Sequence, residues 1–229
     1  MNTFTKTSEL LNQVVPKYII QPEDERGLFF AGLLCKVAAS IDAIIQIRSL
    51  GAIWPPHGRW LIEAFAIASR LHEDDKVIGE IKRKGLKTFL LVSDLSDFER
   101  KKIESALPPS YLPSVETILN NFEKQSEVSD PGLLYKFYRL LSEYSHFEFD
   151  RTCSYPRMGS EPSTETTRRC EVFENIICAC ALSIPAFSHC PPKSGYSDEV
   201  FEEIMKISEL GWKNIRDSTA EQDTGSNSV

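Results

Sequence analysis

Apolar residues recur at intervals of three and four along nearly the whole chain, and runs alternating at two are absent. Leu33, Leu34, Val37, Ala38, Ile41, Ile44 and Ile45 form one such stripe, and Trp60, Leu61, Ala64, Phe65, Ala68 and Leu71 form another. A period near 3.6 is what an α-helix needs to bury one face, whereas a half-buried strand needs a period of two. Neither Asn-Gly nor Asp-Gly, the strongest short hairpin signals, occurs between such runs. The chain is therefore expected to be all-α.

Punctuation divides the pattern. Ser8 is placed to cap a short helix ending at Pro16, and Pro22 with Glu23, Asp24 and Glu25 opens a long one reaching about Leu50, carboxylates being favoured at a helix N-terminus. Trp54-Pro55-Pro56-His57-Gly58 is a rigid turn before a helix from Arg59 to Leu71. Lys76 to Lys102 is helical and locally basic, with Ser96 capping Asp97 to Leu107. Pro113-Ser114 opens the next helix, and Asp130-Pro131 starts another that reaches Phe149, an N-cap followed by proline at the first helical position. Thr164 to Ile184 is a long apolar helix broken near Pro185, and Ser197 caps a last helix from Asp198 to Arg216. These elements predict one bundle of about seven or eight helices over residues 1–217, with 218–229 as a disordered tail.

With 26 Lys and Arg against 33 Asp and Glu, the formal charge of −7 disfavours a protein that coats nucleic acid through bulk charge. Hydrophobic residues make up 41% and charged residues 26%, ordinary values for a globular chain. The N-terminus has no apolar signal core, and the most apolar run, Ile176 to Ile184, is short of the roughly 20 residues that span a bilayer. These features predict a cytoplasmic protein with no membrane partner. Six cysteines are present, with no C-x-x-C or H-x-x-x-H spacing. Cys178 and Cys180 point about 200° apart on a helix, so they cannot share an ion without unwinding it. Free thiols, no metal and no cofactor are expected.

One stretch carries candidate chemistry. At 100° per residue, Tyr135, Arg139, Ser142 and His146 fall within about 60° on one face, opposite Leu133, Leu134, Phe137, Leu140, Leu141, Tyr144 and Phe147. Arg139 and His146 stand two turns apart, about 10.5 Å along the axis. An imidazole moves protons near neutral pH, and a guanidinium clamps phosphate and balances charge that develops on it. Arg139 and His146 are thus the candidate catalytic pair, with Tyr135 and Ser142 as positioning groups. Arg59 and Glu63 on the preceding helix are a second positioning pair, with Glu63 placed to orient Arg59 or His146, and Asp42 and Arg48 placed to join them. The plain alternatives are a solvated helix face and a surface ion pair; His57 and His72 read as exposed terminal histidines.

Arg59-Trp60-Leu61-Ile62-Glu63, after the Gly51-containing turn, resembles the R-x-L-x-E helix of an uncharacterised bacterial all-α domain family. Tyr138 to His146 resembles that family's L-S-x-Y-x-H helix. The spacing of Arg139 and His146 is also similar to the R-x(4–6)-H pattern of the HEPN superfamily, helical bundles that are commonly dimeric, many of them ribonucleases of toxin–antitoxin and anti-phage systems. This resemblance implies a metal-independent ribonuclease whose Arg139 and His146 act at a homodimer interface, with RNA and an antitoxin or operon partner as binding partners. Leu140 departs from the polar residue that often follows the superfamily's arginine. The competing expectation is a non-catalytic ligand- or protein-binding bundle in which Arg59, Glu63, Arg139 and His146 form a structural network.

Overall fold

The computed structural model describes residues 3–21, 23–47, 55–92, 94–106, 112–125, 132–145, 164–189 and 195–225. Among these it contains nine α-helices and no strand: α1 (Thr3–Val14), α2 (Glu25–Ile47), α3 (Pro55–Glu73), α4 (Val77–Val92), α5 (Asp97–Ala106), α6 (Val115–Gln125), α7 (Leu133–Ser145), α8 (Thr164–Ser188) and α9 (Asp198–Gly225). The one extended pairing among them is a bridge between Ile19 and Gly195, with backbone hydrogen bonds of 2.9 and 3.0 Å.

The all-α expectation is met, and the centre of the bundle is α8. It packs against α9, α3, α1 and α2, so every residue from Ile176 to Pro185 is buried. Cys178 and Cys180 are both buried, although they point to different sides of the helix, because α8 has a neighbour on each side. Burial pushes the Cys180 thiol well above its usual range, which keeps it protonated and unreactive. Helix α3 is the second axis: it packs against α8, α7, α2 and α6, and buries Leu61, Ile62, Phe65, Ala68 and Leu71.

Several local expectations are revised. Ser8 does not cap a helix: α1 begins at Thr3, and the Ser8 hydroxyl donates to Asp42 on α2 at 2.5 Å. A partner on another helix outweighs a local cap here. Pro185 does not break α8, which continues to Ser188. A proline in the last turn removes only one backbone donor, and the Ser188 hydroxyl donates to the Pro185 carbonyl at 2.6 Å. The Phe187 carbonyl, at the negative end of the helix, receives Arg26 at 3.3 Å and lies 3.1 Å from His72 Nδ1. By contrast, the basic segment 76–102 divides into α4 and α5 at the predicted Ser96 cap, which is present as a reciprocal box with Glu99. Helix α9 reaches Gly225, past the expected end at Arg216.

Among the described residues, two helical segments are long and apolar enough to cross a membrane: α2, with mean hydropathy 2.0, and Glu171–Ser188 of α8, with 1.3. The apolar maximum therefore lies in α2, where Lys36 and Asp42 are the charged residues between Leu28 and Ile47. The α8 segment is 72% buried within the bundle and that of α2 39%.

Candidate functional site

The residues singled out in sequence do not converge on one centre. Arg59, in the first turns of α3, donates to the Tyr138 hydroxyl on α7 at 3.3 Å, and its guanidinium carbon lies 5.3 Å from the centre of the Tyr138 ring. Tyr135 stacks on the same Tyr138 ring, centroid to centroid 6.2 Å. Loss of solvent, followed by the Glu116 carboxylate beside it, pushes the Tyr135 hydroxyl upward against the pull of Arg139. That phenol is a hydrogen-bond donor at neutral pH, not a base. Arg139 itself is exposed. The structure thus joins Arg59 and Tyr135 through Tyr138, with the Arg139 charge acting on Tyr135; Tyr138 flanks the polar face of the helical wheel and was not among the expected site residues.

Glu63 and Ser142 are not part of this group. The Glu63 carboxylate faces Lys84 on α4 at 3.9 Å, in an open groove of about 490 Å³ between α2, α3 and α4. No bond joins it to Arg59 among the described residues, so the expected orienting pair gives way to an aromatic contact. Ser142 donates to the Tyr138 carbonyl one turn back, at 2.7 Å, which commits its proton to its own helix. Asp42 is held by Ser8, as above. His146 and Arg48 lie outside the described residues.

A different part of the bundle holds a better-formed cavity, of about 390 Å³, where the C-terminal half of α8 meets α3, α6 and α9. Phe122, Phe187, Phe201 and Trp212 wall it. Phe65 underpins the wall, with ring centroids 4.8 Å from Phe122, 5.5 Å from Phe187 and 5.7 Å from Trp212. Such tilted and edge-on pairs add about 0.5–1.5 kcal/mol each beyond area burial, so the wall is stiff. Met205 and His72 stand at the mouth with Glu209 and Arg216.

In this apolar wall sit two serines, Ser183 on α8 and Ser208 on α9, 1% and 7% exposed. Their hydroxyl oxygens are 2.9 Å apart. Ser183 also donates to the Ala179 carbonyl at 2.8 Å and accepts the Trp212 indole N–H at 2.8 Å. The reach of Trp212 depends on Gly211, where a Cβ would stand 3.1 Å from Ala179 Cα, so α8 and α9 approach closely at this point. Sequence reading missed this site. Its signals were two serines in otherwise apolar helical faces and a Gly-Trp step in an amphipathic helix, none of which forms a motif.

Among the described residues, no group of three or more His, Cys, Asp or Glu side chains is placed to hold a metal ion. No family model, curated protein or solved structure matches the chain.

Proposed function

We propose that the chain is a non-catalytic binding bundle whose α3–α6–α8–α9 cavity takes a small apolar, aromatic-sized ligand. The observation that carries this reading is the cavity itself: its volume of about 390 Å³ falls in the range of small-molecule sites, roughly 300–1,000 Å³. Its walls are aromatic, with a few converging polar atoms, the composition that binds and orients small molecules. Ala186 lines the cavity on α8 and is partly buried. Ala186→Phe is expected to fill the site and abolish binding of an aromatic probe such as benzofuran, followed by calorimetry, while the thermal midpoint is kept or raised. Unchanged binding in this variant would remove the cavity from consideration.

A second reading has an observation of its own. Arg59 is half-buried, its Nε is buried without a partner among the described residues, and Arg139 on the neighbouring helix α7 is exposed. A guanidinium with an unpartnered N–H and a second, exposed one on the neighbouring helix are groups that suit a phosphate. In this reading the chain is a HEPN-like, metal-independent ribonuclease acting as a homodimer on RNA in toxin–antitoxin or anti-phage defence, with Arg139 as phosphate clamp and His146 as proton carrier. His146→Ala is expected to remove RNA cleavage, and toxicity on expression, without loss of fold. Equal behaviour of wild type and variant, with no cleavage by either, would exclude this activity. Both readings place the chain in the cytoplasm.

A further inference from the structure

The polar pair in the aromatic cavity has a definite proton count. A serine hydroxyl offers one proton and two lone pairs. Ser183 spends its proton on the Ala179 carbonyl, 2.8 Å away, one turn back on the same helix. One of its lone pairs accepts the Trp212 Nε1–H at 2.8 Å; indole nitrogen is a donor only, so this direction is fixed. The remaining lone pair of Ser183 faces Ser208 Oγ at 2.9 Å. With the Ser183 proton directed to the Ala179 carbonyl, which can only accept, Ser208 is assigned as the donor between the two hydroxyls.

Ser208 is thereby left with lone pairs and no free proton, and it lines the cavity. It is 7% exposed, so water reaches it poorly, and its place in the lining brings it within reach of an occupant of the cavity. We infer that the cavity selects an aromatic ligand carrying an N–H or O–H donor, with Ser208 Oγ as the accepting atom and Ser183 as the residue that fixes its polarity. This inference rests on the binding reading above and adds the chemical class of the ligand. The walls accept any flat apolar ring of suitable size, so discrimination falls to that one oxygen. An acceptor-only heteroaromatic would bring its lone pair against that of Ser208, with both left unpaired in an apolar surround.

Three bicyclic probes of nearly equal size separate the outcomes: indole (an N–H donor), benzofuran (an ether oxygen) and quinoline (an acceptor nitrogen). Titrated into the wild-type protein by calorimetry, indole is expected to bind about five- to tenfold more tightly than benzofuran, with quinoline the weakest, a margin typical of one buried neutral hydrogen bond. Ser208→Ala is expected to erase the indole preference while benzofuran still binds. Ser183→Ala removes the acceptor of both Ser208 and the Trp212 N–H, leaves two donors free to turn toward the cavity, and is expected to raise the affinity for quinoline relative to indole. Equal affinities for indole and benzofuran in wild-type protein, both lost in Ala186→Phe, would overturn the donor assignment and leave the binding reading intact. Failure of all three probes to bind would overturn both.

Discussion

Glu123→Ala is expected to lower the free energy of unfolding by about 2–5 kcal/mol, the cost of leaving two backbone donors without their acceptor. Glu123 lies on α6 and is 2% exposed. One carboxylate oxygen accepts the Gly132 N–H and the other the Leu134 N–H, both at 2.6 Å. These amides belong to the start of α7, where backbone donors lack partners within their own helix and the helix dipole is positive. Gly132 has φ of +84°, a conformation open to glycine at little cost, and it lets the chain turn both amides toward the carboxylate. Alanine leaves two donors without this acceptor, each costing about 1–3 kcal/mol, and removes the charge that favoured them. Glu123→Gln keeps one carbonyl acceptor but turns an NH₂ group toward a backbone N–H, so a loss of about half that size is expected. Denaturant unfolding at neutral pH measures both. A loss below about 1 kcal/mol for the alanine variant would show that α7 finds its start without Glu123.

That interaction also shows what sequence can reveal. Asp130-Pro131 carries the local signature of a helix start and predicts the position of α7 within a few residues, yet its amides are bound by a carboxylate reaching across from α6. Local caps such as Ser96 with Glu99 were legible because both partners lie within one turn. Ser8 and Glu123 were not, because their partners are supplied by tertiary packing. Periodicity identified every long helix but could not rank them by depth: residues 176–185 of α8 are all buried, and Cys178 and Cys180, predicted to diverge, are both in the interior. The candidate site was less legible still. The helical wheel put Arg139 on a polar face, and it is exposed, but a wheel cannot pair Arg59 with Tyr138 on a distant helix. The aromatic cavity takes its walls from four helices, each contributing residues that read individually as core. Only their spatial overlap leaves a volume unfilled.

Gly211→Leu is expected to have the broadest effect of any single substitution in α9, destabilising the fold by about 3 kcal/mol or more and abolishing ligand binding together. Helix α9 meets α8 at Gly211, where a Cβ would lie 3.1 Å from Ala179 Cα and 3.2 Å from Ala179 Cβ. Ala179 is fully buried in the central helix, so its backbone has little room to yield. A leucine must push α9 outward, which draws Trp212 from Ser183 and opens the aromatic wall at Phe65 and Phe122. Gly211→Ala tests the same contact more gently. Alanine is favoured over glycine in a helix interior by about 1 kcal/mol, and the tight contact with Ala179 opposes that gain, so a stability near wild type is expected where an open site would show stabilisation. A clear gain for the alanine variant, or retained indole binding in the leucine variant, would mean that the close approach of α8 and α9 does not hold the cavity in shape. Thermal unfolding followed by circular dichroism, paired with indole titration, separates loss of fold from loss of the site. If the leucine variant does not fold, the alanine variant still decides the matter: its α9 must shift by a few tenths of an ångström, and Trp212 emission should report the change.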